Sequence, residues 1–278
     1  MTQIGRSNRR YSVVLTGSPG TRVSLAWTAM SDVGHRRQVN EDSLIARSPI
    51  FAVADGMGGH SAGDFASSAV VTRLAEQVQS EVVDQDAINT ALRAAVDDMN
   101  RGVGDTDRGT GTTVTGLALS VLDGQVYWLV FNIGDSRVYQ YADGKLDQLT
   151  IDHSIVQELI DAGAITAAEA EVHPHSNVIT RAVGFNEDPV PDYWYIPLVP
   201  GSRLLVCSDG LTKELTEYGI RHFLAEGTSV TDSAQLLMDA ALGNGGRDNV
   251  TVIVVDVIEV SGGEDTESEA PHRGSHRR

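Results

Sequence analysis

Four aspartates stand where the chain has little other reason to place a charge. Phe51-Ala52-Val53-Ala54 runs into Asp55-Gly56-Met57-Gly58-Gly59, and Leu204-Leu205-Val206-Cys207 runs into Ser208-Asp209-Gly210. Trp128–Ile133 runs into Gly134-Asp135-Ser136-Arg137, and Gly245-Gly246-Arg247-Asp248-Asn249 immediately precedes Val250–Val257. An ionised carboxylate beside a buried apolar run is costly unless paired or bound to metal, and a neighbouring glycine lets backbone approach closely. Oxygen ligands with no His or Cys at metal-ligand spacing suit Mg2+ or Mn2+ rather than Zn2+. Mg2+ keeps several of its waters, so a few carboxylates can support two ions. Two ions about 3.5–4 Å apart clamp an in-line displacement at phosphorus. A lone Asp-Gly marks only a turn; the set of four points to a cation site.

A second acidic segment, Gly34-His35-Arg36-Arg37-Gln38-Val39-Asn40-Glu41-Asp42, precedes the strand that delivers Asp55. Arg37 lies four residues before Glu41. A guanidinium there could grip phosphate oxygens in a bidentate fork beside a carboxylate that holds metal-bound water. Alone, the segment also reads as an ordinary hydrophilic loop.

These residues must be held by short strands and a few helices. Strand patterns run over Val23–Met30, Ile50–Ala54, Thr112–Leu122, Gln125–Asn132, Arg137–Tyr141, Arg203–Cys207 and Val250–Val257. Asp123-Gly124 and Asp143-Gly144 each sit between two runs, a strong hairpin signal, so antiparallel sheet is expected. Helical periodicity appears over Ala62–Glu81, Asp86–Asn100, Ile155–Ala162 and Thr231–Leu242, with Ser61 and Ser154 as N-caps. Two long helices in succession, rather than alternating with strands, predict an α+β fold with helices packed on antiparallel sheets.

The 278 residues are 41% hydrophobic and 21% charged, a globular composition. With 21 Lys+Arg against 38 Asp+Glu, the net charge of −17 argues against nucleic acid or an anionic membrane as main partner. The single cysteine, Cys207, excludes an intramolecular disulfide framework and any CxxC metal knuckle. Residues 1–21 are polar and basic and read as a flexible leader without the apolar run of a signal peptide. Residues 259–278, with Glu264, Asp265, Glu267 and Glu269 before His272, Arg273, His276, Arg277 and Arg278, read as a disordered tail. One domain over 22–258 and a cytoplasmic location are expected.

The motifs Gly34-x-x-Arg37-x-x-Asn40-Glu41-Asp42, Ala54-Asp55-Gly56-Met57-Gly58-Gly59, Gly109-Thr110-Gly111-Thr112-Thr113, Asn132-Ile133-Gly134-Asp135-Ser136-Arg137, Ser208-Asp209-Gly210 and Asp248-Asn249 occur in one particular order. That order resembles the metal-dependent protein phosphatase family of type 2C, in its compact bacterial branch, over roughly residues 24–257. The segment Leu149-Thr150-x-Asp152-His153-Ser154 through Val178–Gly184 is similar to the flap of the bacterial enzymes, about 150–184 here. The resemblance implies a four-layer α-β-β-α sandwich of two antiparallel sheets, with a dinuclear metal site at one edge. It implies that Asp55 bridges two Mn2+ or Mg2+ ions, with the Gly56 carbonyl as a further ligand. Asp209 and Asp248 would complete the shell of the first ion, and Glu41 would hold the second through water. Asp135 with Asp209 would support a third, weaker ion. Arg37 would bind phosphate, Asn249 would sit behind the ligands, and Asp42 would give metal support. The implied reaction is hydrolysis of phosphoserine and phosphothreonine in proteins by direct attack of a metal-bridging water, catalysed through Asp55 and Arg37. The implied partners are Ser/Thr kinases and their substrates, and the implied state is a monomer.

The pattern departs in places. Many eukaryotic members carry a histidine after Asp-Gly that is proposed to protonate the leaving alkoxide; here Met57 stands there. Water on the third ion or His153 could serve instead, although His153 is the more natural flap cap. His60 reads as a rim residue, and Ser176 occupies a flap position where relatives often carry arginine. His173 and His175 lack a third ligand nearby. A cysteine phosphatase needs Arg six residues after its nucleophile; six after Cys207 stands Lys213, so Cys207 reads as a structural thiol. Gly109–Thr113 lacks the Lys-Ser/Thr of a P-loop and reads as a close backbone approach near the site. A phosphatase confined to one small partner and a silent phosphoprotein-binding scaffold are the rival readings.

Overall fold

The computed structural model describes residues 1–18, 20–58, 62–77, 79–102, 110–185 and 188–262. In chain order these form β1 (Gln3–Gly5), β2 (Asn8–Val14), β3 (Arg22–Asp32), β4 (Asp42–Arg47), β5 (Ile50–Met57), α1 (Ala62–Glu76), α2 (Gln85–Gly102), β6 (Gly111–Thr112), β7 (Val114–Leu122), β8 (Gln125–Ile133), β9 (Arg137–Ala142) and β10 (Lys145–Gln148). There follow α3 (Ile155–Asp161), α4 (Ala167–Glu171), β11 (Asp192–Pro197), β12 (Arg203–Cys207), α5 (Asp209–Thr212), α6 (Glu217–Glu226), α7 (Val230–Asn244) and β13 (Val250–Ser261).

The strands make two sheets. One runs β1-β4-β5-β7-β8-β11, with β6 beside β5; the other runs β10-β9-β12-β13-β3-β2. The expected α-β-β-α layering follows from strict alternation along the strands. Phe51 and Val53 point between the sheets with Trp128, Val130, Leu25, Leu204 and Ile253. Ala52 and Ala54 point the other way, against Ala66, Val70 and Leu74 of α1 and Ile88, Leu92 and Val96 of α2. On the far sheet Leu205, Cys207, Val252 and Val254 meet Ile220 and Leu224 of α6 and Leu237 and Met238 of α7. Period-2 side chains on a strand necessarily serve two layers, so each sheet is covered on both faces.

Both hairpins form as expected, with Asp123 and Gly124 at φ 52° and 79° and Asp143 and Gly144 at φ 51° and 77°. Five expectations are corrected. The tail expected from residue 259 starts later, since β13 stays paired with β3 through Ser261. The leader is structured: β1 pairs with β4, in parallel rather than antiparallel, and β2 pairs with β3. These strands take unfilled edges of existing sheets. The helix expected over Ala62–Glu81 ends at Glu76, because the chain must turn so that Val83 can bury and donate its N–H to the Leu119 carbonyl at 2.8 Å. Thr112–Leu122 is not one strand but β6 and β7, broken at Thr113. Asp55 lies inside β5, which continues to Met57. The Ser61 cap, His60, Gly59, Gly109 and the 263–278 part of the tail lie outside the described residues. Among the described residues no helix is long and apolar enough to cross a membrane.

Candidate metal centre

The predicted acids reach one place from both sheets. β4 and β5 pair Asp42 directly opposite Asp55. β12 ends two residues before Asp209, which opens α5; Asp135 sits in the turn from β8 to β9; Asp248 lies in the turn from α7 to β13. Glycine permits the convergence. A Cβ on Gly56 would come 2.1 Å from the Gly63 carbonyl oxygen and 2.7 Å from that of Glu41, and one on Gly63 would come 2.8 Å from Glu41 Oε1. The first turn of α1 therefore rests on the backbone of the Asp55 strand.

Polar side chains fix the frame. Thr113 Oγ1 accepts from the Asp55 N–H at 3.1 Å and pairs with Ser136 Oγ at 2.9 Å, while the Asp55 carbonyl accepts from Thr113 N and Thr112 Oγ1. The close approach expected of Gly109–Thr113 is thus, at its described end, a pair of threonines clamping Asp55. Asn249 behaves as a loop organiser: its Oδ1 accepts from Glu41 N–H at 2.9 Å, and its Nδ2 donates to the Val33 and Val39 carbonyls. Asp42 is fully buried, and its Oδ2 accepts from Thr251 Oγ1 at 2.6 Å and Ser208 Oγ at 2.9 Å.

The electrostatics are those of carboxylates lacking enough positive charge. Burial, reinforced by Asp42, Asp209, Asp135 and Asp248, holds Asp55 well above the ordinary carboxylate range. Burial pushes Asp42 up to about 7 against the pull of its two hydroxyl donors. Burial and the Asp209 charge likewise push Asp135 up to about 7. Asp248 goes the other way: burial opposes its charge, but Lys213 and Arg37 outweigh burial. Asp42 Oδ1 and Asp209 Oδ1 are buried and accept no hydrogen bond.

Arg37, half-exposed, closes on Asp248 with Nε to Oδ1 at 2.7 Å and Nη2 to Oδ2 at 2.9 Å. Lys213 Nζ stands 2.5 Å from Asp209 Oδ2 and 3.1 Å from Asp248 Oδ2. Among the described residues no three His, Cys, Asp or Glu side chains form a ready-made cation cage; two protein cations are drawn onto the acids. Lys213 is the site residue that the sequence reading passed over. Its signal was the i,i+4 spacing from Asp209 on a helical turn.

The flap is tied down at both ends. His153 is buried; its Nδ1 accepts from the Gly134 N–H at 3.1 Å, so its Nε2–H donates to Asp192 Oδ2 at 3.1 Å. Asp192 also pairs with Arg181 of the flap, and Val183 bridges to Thr112. His153 is a flap pin, with both ring nitrogens in use. Behind Asp135, Arg137 forks onto Asp152 and donates to Tyr139 Oη. Cys207 is fully buried and burial pushes its thiol up to about 12, the state of a structural thiol. His173 Nδ1 accepts from the His175 N–H.

An all-oxygen set with buried, mutually repelling carboxylates and unfilled acceptor atoms suits hard divalent cations. Glu41, Asp55, the Gly56 carbonyl, Asp135, Asp209 and Asp248 could hold them, and such charge beside a guanidinium suits a phosphoryl group.

The family model described as Protein phosphatase 2C matches residues 34–244. The serine/threonine protein phosphatase PstP of Mycobacterium tuberculosis is 39% identical over 252 residues, which cover 86% of this chain and 46% of that protein. The chain thus spans about half the length of that relative. The serine/threonine phosphatase stp of Listeria monocytogenes is 34% identical over 236 residues, covering 81% of this chain and 93% of that protein. The crystal structure of the PstP catalytic domain in complex with two manganese ions superposes with a TM-score of 0.73 at 36% identity, covering 84% of this chain and 99% of that one.

Proposed function

Because the chain belongs to the protein phosphatase 2C family, we propose that it is a metal-dependent phosphatase of phosphoserine and phosphothreonine in proteins, Ser/Thr kinases and their substrates among them. One observation supports this above the others. Carboxylates from both sheets crowd together until Asp42 and Asp135 are pushed up to about 7 and Asp55 is held well above the ordinary carboxylate range, with Arg37 as the guanidinium at their mouth.

Asp55, the Gly56 carbonyl, Asp209, Asp248 and, through water, Glu41 are the proposed holders of two Mn2+ or Mg2+ ions, and Asp135 with Asp209 of a third. Bound ions of this kind supply positive charge and an acidified water for attack on phosphorus. The chain's own groups do the rest. Thr112 and Thr113 keep the Asp55 backbone from shifting, and Asn249 holds Glu41 in place. Asp42, behind them, locks Ser208 and Thr251 across the two sheets. Arg37, released from Asp248, offers the same two N–H groups to two phosphate oxygens, which orients the ester and offsets charge growing on its equatorial oxygens. Met57 cannot donate a proton and His153 is committed at both nitrogens, which leaves solvent to protonate the leaving alkoxide.

The test is hydrolysis of p-nitrophenyl phosphate and a phosphothreonine peptide with Mn2+, Mg2+ or EDTA, beside Asp209→Asn and Cys207→Ser. Activity that needs the metal, is lost in Asp209→Asn and survives in Cys207→Ser is expected. No hydrolysis of either substrate with any metal would overturn the proposal and favour a phosphoprotein-binding scaffold.

A further inference from the structure

The chain contains only two lysines, Lys145 and Lys213; its other 19 cationic side chains are arginines. Lys145 begins β10 and is exposed. Lys213 bridges Asp209 and Asp248. Where this protein needs a lasting buried bridge it uses a forked arginine, as in Arg137 on Asp152 and Arg203 on Asp256. A lysine differs in kind: a compact point charge on a flexible stem, able to leave its partners one contact at a time.

The acceptors around Lys213 show what it occupies. Asp248 Oδ1 takes Arg37 Nε and the Asn249 N–H, and its Oδ2 takes Arg37 Nη2 and Lys213 Nζ. Asp209 gives Oδ2 to Lys213, while its buried Oδ1 has no hydrogen-bond partner. The lysine backbone is fixed, since its N–H donates to the Asp209 carbonyl at 2.8 Å, but its side chain is 31% exposed and has a path to water.

We propose that Lys213 is a displaceable internal counter-ion of the metal centre. Its ammonium holds Asp209 and Asp248 together in the metal-free protein and has to leave them before a divalent cation can bind there. The inference rests on Asp209 and Asp248 being cation ligands. It gives the centre a metal affinity lowered by the fraction of time the ammonium stays in place, and a metal-free state whose acids are partly neutralised.

Two measurements test it. Mn2+ binding is followed by titration calorimetry and by the Mn2+ electron paramagnetic resonance signal in wild type, Lys213→Met and Lys213→Arg. Lys213→Met is expected to bind Mn2+ about tenfold more tightly yet melt at lower temperature in EDTA, whereas Lys213→Arg gains no affinity. A merely structural lysine would weaken Mn2+ binding when replaced, so weaker or unchanged binding in Lys213→Met overturns the proposal. The second measurement needs no variant: amine acylation of wild type, read by mass spectrometry as the ratio of Lys213 to Lys145. The ratio should rise when Mn2+ replaces EDTA, and a constant ratio in protein that binds Mn2+ overturns the counter-ion role alone. Wild type that binds no Mn2+ overturns the metal-centre reading, and this inference with it.

Discussion

Arg37 and Asp248 are joined by two nearly equal bonds, 2.7 and 2.9 Å, that use both carboxylate oxygens and two of the guanidinium's N–H groups. The fork that grips Asp248 is the fork a phosphate would need, so the guanidinium serves one partner or the other. Replacing Arg37 with alanine should raise KM for a phosphothreonine peptide, with kcat/KM falling roughly 10- to 100-fold. Arg37→Lys should recover little of that loss, because a single ammonium nitrogen cannot reproduce the planar fork of two parallel N–H groups. Steady-state kinetics of the two variants checks this.

The raised Asp42, Asp135 and Asp55 make metal-free stability depend on pH in an unusual direction. Their folded-state values lie above the ordinary carboxylate value near 4, so between about pH 4 and 7 the folded protein binds more protons than the unfolded chain. These groups therefore weaken the fold as pH rises through that window. In EDTA, melting temperature should decline from pH 5 to pH 8. In saturating Mn2+ the decline should vanish or reverse, since the cation competes with protons for the same oxygens.

Asp42 separates charge from hydrogen bonding. Asp42→Ala removes the buried acceptor of the Ser208 and Thr251 hydroxyls, leaving Thr251 its Ser31 partner and Ser208 only the Thr251 N–H, and should cost about 1–3 kcal/mol in denaturant unfolding. Asp42→Asn keeps an acceptor of the same shape and removes a repelled charge, so in EDTA it should lose far less.

His153 is tested by changing the leaving group. A proton donor matters most when the departing oxygen is a poor leaving group, as in an alkyl phosphate, and little for p-nitrophenolate. A flap pin affects both. His153→Gln should reduce kcat by similar factors for p-nitrophenyl phosphate and phosphoserine peptide; a loss confined to the peptide would restore the acid role.

What the sequence made legible was whatever carries its own local signature. Alternating apolar residues marked the inner strands, Asp-Gly marked both hairpins at positive φ, and acids interrupting apolar runs marked Asp55, Asp135, Asp209 and Asp248. Elements stabilised only by a neighbour left no such trace. β2 is Asn-Arg-Arg-Tyr-Ser-Val-Val, whose polarity looks like loose chain until β3 offers it an edge. β11 follows Pro189 and Pro191 and is held by β8. Lys213 was visible as a residue, but its meaning needed Asp248, which is 35 positions away in the chain. Thr251, Ser208 and Asp192 act through the same kind of distant partner.

β4 and β3 would be the outermost members of their sheets, and one continuous stretch of chain covers both, β1 in parallel on β4 and β2 antiparallel on β3. Without that stretch, two rows of unpaired N–H and C=O groups would open together, ready to recruit matching strands from other molecules. The rims that remain there are the three-residue β1 on one sheet and β2 on the other, short in the first case and lined by exposed Arg9 and Arg10 in the second, and both features discourage such recruitment. The residues that read as a flexible leader thus shield both edges, and a protein trimmed to begin at residue 22 is expected to self-associate more than the longer chain, as light scattering of the two would show.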